Sequence, residues 1–323
     1  MAESYIQISG INGIDNISDP SRVSDIRAGR VYVFEADNVD IDNDRMIHRR
    51  GGRNLLLGGS GIHSLWSDDR VCLFVQNNIF KKLNTDNTPT TLVTDIDPTD
   101  KMCYVSVVDS VFFSNYSIVG YVNMRDGLPY PFPDPNQTFK QRMIGGHILE
   151  FFNNRLYSAN DRIIYYSDAT IPMRMDMRKN AIPFMDRITM MRAVKNGIYV
   201  STGKGVYFMS GMDPSEFTFS KVLDVGAIDG MSITVDGDSV DKFGSTGKTI
   251  YFMTEDGPYK GYPGGSVLQM QNGLFSVEDI EYGTSLLIED GYQQFLSIGQ
   301  LGAGIGGISG KSIIPRPIMT GLG

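Results

Sequence analysis

The amino-acid sequence predicts an all-β fold, a single β-propeller of six blades with an extended arm at each end. Short β-rich runs recur along the chain, glycine occurs 36 times, and strongly helix-forming runs are scarce. Such a composition is typical of many short strands joined by tight turns. A chain of 323 residues, 41% of them hydrophobic, can also bury a large core.

A sequence repeat is the main reason to predict blades. TGKGVYFMSG (202–211) is echoed by TGKTIYFMTEDG (246–257), and DRIIYYSD (161–168) carries the same β-rich run. Propeller blades contain several strands and recur about every 40 to 45 residues. The spacing of these copies therefore favours a propeller, with an array of β-sandwiches as the structural alternative.

Each repeat contains two β-rich runs joined by a short turn. RLYSAN is followed by IIYYSD across Asn160 and Asp161, and GIYVST is followed by VYFMSG across Gly203 and Lys204. Asn, Asp and Gly tolerate the positive φ angles of hairpin turns. One such module cannot bury both faces alone, whereas modules stacked around an axis cover each other. The candidate blades are 54–92, 93–140, 141–180, 181–222, 223–268 and 269–300, and counts of five or seven remain open.

Three parts of the chain are predicted on this basis. Residues 1–53 form an N-terminal arm, with a β-rich run at 30–35 that could close the ring against the last blade. Residues 54–300 form the propeller. Residues 301–323 form a glycine-rich arm, which we expect to be flexible or ordered by a partner.

The charge and the apolar runs limit the possible partners. A formal net charge of −8 argues against a protein that binds nucleic acid tightly, although DNA could slide past an acidic wall.

Cys72 and Cys103 lie in apolar runs and are predicted to be buried free thiols. There is no run of eighteen apolar residues and no signal peptide, so we expect no membrane insertion and synthesis in the cytoplasm.

Sequence motifs for nucleotides and metals are incomplete. GSTGKT (244–249) resembles a phosphate-binding loop, but Lys242 stands where glycine is required and a β-rich run follows. The histidines His48, His63 and His147 lack metal-ligand spacing. We therefore predict no metal and no cofactor.

No catalytic residues are predicted either, so we expect a protein that is not an enzyme. A glycosidase would need two carboxylates facing one pocket. The available candidates are Asp109, Asp168, Asp213 and Asp256.

Two segments are predicted to contact other proteins. GLPYPFPDP (127–135) is stiff and aromatic, and IPMRMDMRKN (171–180) alternates methionine with charge. Ordinary loops between blades remain the alternative for both. The candidate contact residues, including two in the C-terminal arm, are Pro129, Tyr130, Phe132, Pro133, Met173, Arg174, Met175, Pro315 and Pro317.

Between residues 35 and 300 the sequence resembles a family of phage proteins. The segments that carry the resemblance are NVDIDNDRMIHRRGG (38–52), RLYSANDRIIYYSDA (155–169), GIYVSTGKGVYFMSGMDP (197–214) and FMTEDGPYKGYPGG (252–265). They are similar to blade motifs of tail nozzle or hub proteins of short-tailed phages, including packaged-DNA stabilisation proteins.

The resemblance implies a structural virion protein that forms a ring, often a hexamer, below the portal and adaptor. Such a ring continues and closes the DNA channel, with DNA passing through without sequence-specific binding. The alternatives are a propeller that hydrolyses, lyses or binds glycans on a phage tail, and a ligand-binding propeller inside a cell. The single tryptophan, Trp66, disfavours a glycan-binding surface.

Overall fold

The computed structural model confirms the predicted all-β propeller. It describes residues 10–11, 13–19, 31–33, 39–41, 46–49, 55–68, 70–240, 244, 246–270, 276–277, 280–289, 293–301 and 311–313. All regular elements in this part of the chain are strands. The same residues contain no helix that could cross a membrane.

Five blades of four strands form the body. Blade 1 contains β5 (Ile62–Ser67), β6 (Cys72–Gln76), β7 (Ile79–Leu83) and β8 (Pro89–Val93). Blade 2 contains β9 (Cys103–Val107), β10 (Ser110–Ser114), β11 (Val119–Asn123) and β12 (Pro129–Pro131). Blade 3 contains β14 (Ile148–Phe152), β15 (Arg155–Asn160), β16 (Ile163–Tyr166) and β18 (Ala181–Pro183). Blade 4 contains β19 (Ile188–Val194), β20 (Gly197–Thr202), β21 (Gly205–Ser210) and β22 (Thr218–Leu223). Blade 5 contains β23 (Ala227–Val240), β24 (Thr246–Thr254), β25 (Gly257–Gly261) and β26 (Val267–Gln269).

Within each blade the strands pair in chain order as an antiparallel meander, as in propellers. The first strands of successive blades lie side by side, since β9 contacts β14, β14 contacts β19, and β19 contacts β23. We call these first strands the inner strands, because they surround the axis of the propeller. They begin about 40 residues apart, which confirms the predicted repeat length.

Two further short strands lie outside the blades. β13 (Lys140–Arg142) is in the link from blade 2 to blade 3, and β17 (Arg174–Asp176) is in the link between β16 and β18. They pair antiparallel, with Gln141 opposite Met175. The pair ties the two links to one another.

The hydrophobic core is divided among the junctions between modules. One buried cluster, which includes Phe80 and Phe113, fills the junction of blades 1 and 2. Four more clusters lie between blades 2 and 3, 3 and 4, 4 and 5, and between blade 5 and the hairpin that follows it. Each blade therefore buries its apolar faces against its neighbours, as the repeat predicted.

In the part of the chain that the structure describes, the predicted six blades are five complete blades and a hairpin. In the predicted sixth segment (269–300), β27 (Ile280–Glu289) and β28 (Gln293–Leu301) form an antiparallel hairpin. β27 pairs in parallel with β23 at a single position, Asp229 opposite Tyr282. The hairpin thus extends the sheet of blade 5 from its inner strand, giving seven strands with β29 (Lys311–Ile313) at the far edge.

Glycine permits this contact. Gly230 has a φ of 77°, and a Cβ placed on it would lie 2.1 Å from the carbonyl oxygen of Gly283. Only a residue without a side chain allows two backbones to approach so closely.

The described parts of the arms contain short strands. β1 (Gly13–Ile14) pairs in parallel with β2 (Tyr32–Val33), and β3 (Val39–Ile41) pairs with β4 (Ile47–Arg49). The predicted ring-closing run therefore pairs, in its described residues, with β1 and not with the last blade. The arm reaches the far end of the chain through Asn16, which donates to the Ser276 carbonyl over 2.9 Å and accepts from its N–H over 3.1 Å.

Proline occurs in the outer strands of three blades. β8 begins at Pro89, β12 contains Pro129 and Pro131, and β18 ends at Pro183. Proline lacks an N–H donor and is confined to edges and ends of sheets, where it hinders pairing with another strand. These outer edges are therefore poor templates for sheet extension.

Candidate functional site

Polar side chains from several blades meet at one end of the axis. Three precede inner strands, one lies in the turn between β10 and β11, and two lie on β23 and β27. We call this group the axial cluster, and its members are Lys101, Tyr116, His147, Arg187, Asp229 and Tyr282. The ring arrangement brings them together, because every link between blades returns to the axis before the next inner strand starts.

Arg187 is the centre of the axial cluster. Its guanidinium forms an ion pair with Asp229, with Nη2 at 3.2 Å from Oδ2, and donates a second hydrogen bond to the hydroxyl of Tyr116. These contacts join residues that blades 2, 4 and 5 contribute. The Arg187 side chain remains 47% exposed, so it is open to solvent as well.

His147 supports the cluster from blade 3. Its ring stacks on Tyr116 with centroids 5.3 Å apart, and its Nε2 lies 2.8 Å from the carbonyl oxygen of Ile188. A carbonyl only accepts, so Nε2 carries the proton and donates. Burial lowers the pKa of His147 despite the Ile188 hydrogen bond, and Arg187 lowers it further while Asp229 raises it. The imidazole is therefore neutral near neutral pH.

Lys101 approaches the cluster from the link between blades 1 and 2. Its Nζ lies 3.4 Å from the ring centroid of Tyr282, a cation–π contact. Burial lowers the pKa of Lys101, and the charge of Asp229 opposes that shift. Tyr282 lies on β27, opposite Asp229 of β23. The contact with Lys101 therefore connects the start of blade 2 to the hairpin that follows blade 5.

A second polar group lies farther along the inner strands. On β19, Arg192 donates from Nε to Ser232 Oγ over 3.1 Å and from Nη2 to the Ser232 carbonyl over 2.9 Å. Its Nη1 lies 4.0 Å from Glu150 Oε2 on β14. Burial raises the pKa of Glu150, and Arg192 opposes this shift only in part. The group joins the inner strands of blades 3, 4 and 5.

The first predicted contact segment has both exposed and buried residues. Tyr130 is exposed, stacks on Tyr121 with centroids 5.4 Å apart, and donates to Asp126 over 2.8 Å. Pro133 is exposed and Pro129 is half-buried. Phe132 is only 3% exposed and lies in the cluster between blades 2 and 3. Phe132 therefore serves the core and is unavailable for the contact surface predicted for it.

The second predicted segment differs from expectation in the same way. Met175 is 1% exposed in that same core cluster, and Met173 is half-buried against it. Arg174 is half-buried and its Nε lies 2.8 Å from Asp168. Met177 is the methionine of this loop that faces solvent. The predicted residues Pro315 and Pro317 lie outside the described residues.

Three of the four carboxylates considered for glycan cleavage form ion pairs, and the fourth, Asp256, is exposed in the turn between β24 and β25. Asp109 pairs with Arg125 at 2.7 Å, and Asp213 pairs with Arg155 at 2.9 Å. Asp168 accepts from both Lys140 and Arg174. Ion pairing is a structural role for these groups. In the part of the chain that the structure covers, no group of three His, Cys, Asp or Glu side chains could hold a metal ion.

The GSTGKT segment and the two cysteines have structural explanations. Thr246–Thr254 is strand β24, so a strand follows the glycines where a phosphate-binding loop would need a helix. Both cysteines are free, as predicted, but half-buried where full burial was predicted, and desolvation raises the pKa of Cys103 to about 12. A thiol with so high a pKa is unreactive at neutral pH.

None of the residues of the axial cluster was predicted from the sequence to be functional. Its only local signal was the placement of Lys101, His147 and Arg187 shortly before β-rich runs. No spacing motif links them, because they are about 40 residues apart.

Comparisons with known proteins add a likeness of fold. No protein family and no curated protein matches the sequence. Among solved structures, PorZ, a surface component of the type-IX secretion system of Porphyromonas gingivalis, is 12% identical with a TM-score of 0.47 over 77% of this chain and 33% of that one. The extracellular domain of a putative hybrid two-component system of B. thetaiotaomicron is 14% identical with a TM-score of 0.48, over 82% and 35%.

A streptogramin B lyase is 13% identical with a TM-score of 0.45, over 76% of this chain and 81% of that one. This chain spans about a third of the length of PorZ and of the two-component system domain. Such low identities say nothing about activity, and the fold assignment rests on the sheet topology itself.

Proposed function

We propose that this chain is a non-enzymatic structural protein of a phage tail. In this proposal, copies of the propeller form a ring below the portal and adaptor that continues and closes the DNA channel. The resemblance of its blade motifs to tail nozzle and hub proteins supports the proposal, and so does the character of its outer surface.

The observation that carries the proposal is a set of exposed apolar side chains at the rim of blades 2 and 3. We call Leu128, Tyr130, Phe139 and Met177 the rim residues; they are 54%, 36%, 51% and 59% exposed. Phe139 and Met177 are neighbours, because the Met177 N–H donates to the Phe139 carbonyl over 3.2 Å. Large exposed apolar groups that lie side by side, as Phe139 and Met177 do, are typical of protein contact sites.

Three of the four rim residues, Leu128, Tyr130 and Met177, lie in the segments that the sequence predicted as contact elements, and Phe139 lies between those segments. Arg178 lies 4.3 Å above the ring of Phe139, and aromatic residues beside arginine are enriched at protein interfaces. A closed ring needs a head-to-tail interface, in which the rim of one copy meets a different surface of the next copy. A hexamer is the symmetry that the resemblance implies.

The charge of the chain supports passage of DNA without adhesion. A net charge of −8 repels phosphates, so DNA would move past such a ring without being held. The proposed location is the virion tail, after synthesis in the host cytoplasm, with no insertion into a membrane.

Electron microscopy and mass measurement of the purified full chain test the proposal. We expect rings of defined copy number, and we expect Leu128→Asp with Met177→Asp to shift the chain toward monomers. Met185→Asp is the matched control, because Met185 is 89% exposed outside the rim residues. A wild-type chain that stays monomeric at high concentration, also with portal and adaptor present, would refute the proposal.

Glycan cleavage is the second candidate function, favoured by one observation. Glu150 is a half-buried carboxyl on the inner strand β14, 12% exposed beside Arg192, and desolvation raises its pKa, as is common for general acids. Incubation of host-surface glycans with the purified chain separates the candidates. Turnover by the wild type that Glu150→Gln abolishes would support an enzyme, and intact glycans would leave the structural role.

A further inference from the structure

We infer that the axial cluster is a binding site for a small oxyanion, a phosphate or a carboxylate, held between Lys101 and Arg187. The inference concerns the axis of one propeller and is independent of the proposed ring. It rests on unused hydrogen-bond donors, on the convergence of separate segments and on the charge of the cluster.

The Lys101 ammonium has three donors and no acceptor among the described residues. Its partner there is the ring face of Tyr282, with which an ammonium makes no conventional hydrogen bond. The side chain is exposed, and an ammonium gains more from a charged acceptor than from a neutral one. Among the described residues its N–H groups have no acceptor, so they can reach a ligand from solvent.

Arg187 has the second set of free donors. Its two contacts, to Asp229 and Tyr116, use two of five guanidinium N–H groups. These contacts fix the plane of the guanidinium, while almost half of the side chain stays open to solvent. A guanidinium held in one plane is well suited to a planar or tetrahedral oxyanion.

The charges of the cluster favour an anion. Lys101 and Arg187 carry two positive charges, Asp229 carries one negative charge, and His147 is neutral. Asp229 pairs with Arg187 and lies opposite Tyr282, whose ring contacts Lys101, so the two cations are on either side of Asp229. The remaining positive charge is located at the axis of an otherwise acidic chain, where an oxyanion would complete the set of partners.

Titration of the purified full chain with sodium phosphate and with sodium acetate, at constant ionic strength, tests the inference. Isothermal calorimetry and the thermal midpoint measure binding. We expect saturable binding of both anions, tighter for the doubly charged phosphate. Lys101→Met should weaken phosphate binding by about tenfold or more, and Lys101→Arg should retain it.

Lys204→Met is the matched control. Lys204 is 74% exposed in the turn between β20 and β21 and pairs with Asp186, so its loss changes the net charge equally without removing a member of the axial cluster. Circular dichroism verifies folding, and Lys101→Gln replaces Lys101→Met if the latter does not fold. Heat changes no larger than those of sodium chloride, or equal weakening by Lys101→Met and Lys204→Met, would overturn the inference.

Discussion

The hydroxyl of Ser201, buried at the end of β20, accepts a hydrogen bond from the N–H of Ala227 over 2.7 Å. Ala227 is the first residue of blade 5, so the bond crosses from one blade to the next. Ser114 of blade 2 makes the equivalent bond, because its hydroxyl accepts from the N–H of Gly146 over 2.9 Å just before blade 3. A buried serine thus fixes the start of the next inner strand at two junctions.

Replacement of this serine should destabilise the propeller. Ser201→Ala removes the acceptor and leaves the buried Ala227 N–H unpaired, which costs about 1 to 3 kcal/mol. Urea denaturation followed by circular dichroism measures the change in the free energy of unfolding. Ser210→Ala is the control, because Ser210 bonds an exposed hydroxyl on Thr218 and should change stability by less than about 0.5 kcal/mol. Equal losses in the two variants would contradict this role.

A side chain at Gly230 should release the C-terminal hairpin. In Gly230→Ala the new Cβ meets the Gly283 carbonyl at 2.1 Å and the backbone has a φ of 77°, so we expect a cost of about 1 to 3 kcal/mol. Hydrogen exchange should accelerate in 280–301 more than in blades 2 to 4. Gly237→Ala on the same strand has open space around its Cβ and serves as the control. Unchanged exchange in 280–301 would show that the close approach is not needed.

Acid should weaken the fold through His147. Its folded-state pKa is lowered, so between that value and about 6.5 the unfolded chain binds more protons than the folded chain. The contribution of His147 to the free energy of unfolding is therefore complete above about pH 6.5 and is lost as the pH falls.

Thermal midpoints measured from about pH 7.5 to about pH 5.5 check this prediction. In His147→Gln the amide can still donate to the Ile188 carbonyl, and the midpoint should depend less on pH. His63, whose pKa burial also lowers, remains in both proteins, so the difference between them isolates His147. Identical slopes would exclude His147 as a source of acid sensitivity.

Local sequence patterns were sufficient to predict most of the fold. The hairpin of β15 and β16 was predicted from two β-rich runs and the Asn160-Asp161 turn, and Asp161 has the expected positive φ of 52°. Hairpins depend on residues adjacent in sequence, so their signals remain readable without the tertiary structure. The predicted limits of the first five blades lie up to ten residues from the observed first and last strands, so the links between blades were predicted less exactly than the hairpins.

The repeat itself was aligned out of structural register. TGKG (202–205) spans the turn between the second and third strands of blade 4, whereas TGKT (246–249) begins the second strand of blade 5. The two segments have similar sequences because the same residue types are tolerated in a tight turn and at the start of a strand. The sixth blade was overcounted because one more β-rich run is indistinguishable from a blade until its partner strands are known.

The burial of Phe132 and Met175 and the formation of the axial cluster depend on tertiary contacts. Phe132 follows a proline-rich edge and Met175 lies in a charged loop, so both were predicted to be exposed, yet each fills the junction of blades 2 and 3. The axial cluster depends on the closure of the chain around an axis, which brings together residues that are distant in sequence. Such a site has no local signature.

The prolines in the outer strands of blades 1 to 3 determine how copies of this protein can associate. Pro89, Pro129, Pro131 and Pro183 leave gaps in the rows of N–H donors that a neighbouring strand would need. Crowded copies would then be kept from joining their sheets through these three edges, where they could meet only through side chains. Contacts of that kind are reversible and can be altered one residue at a time.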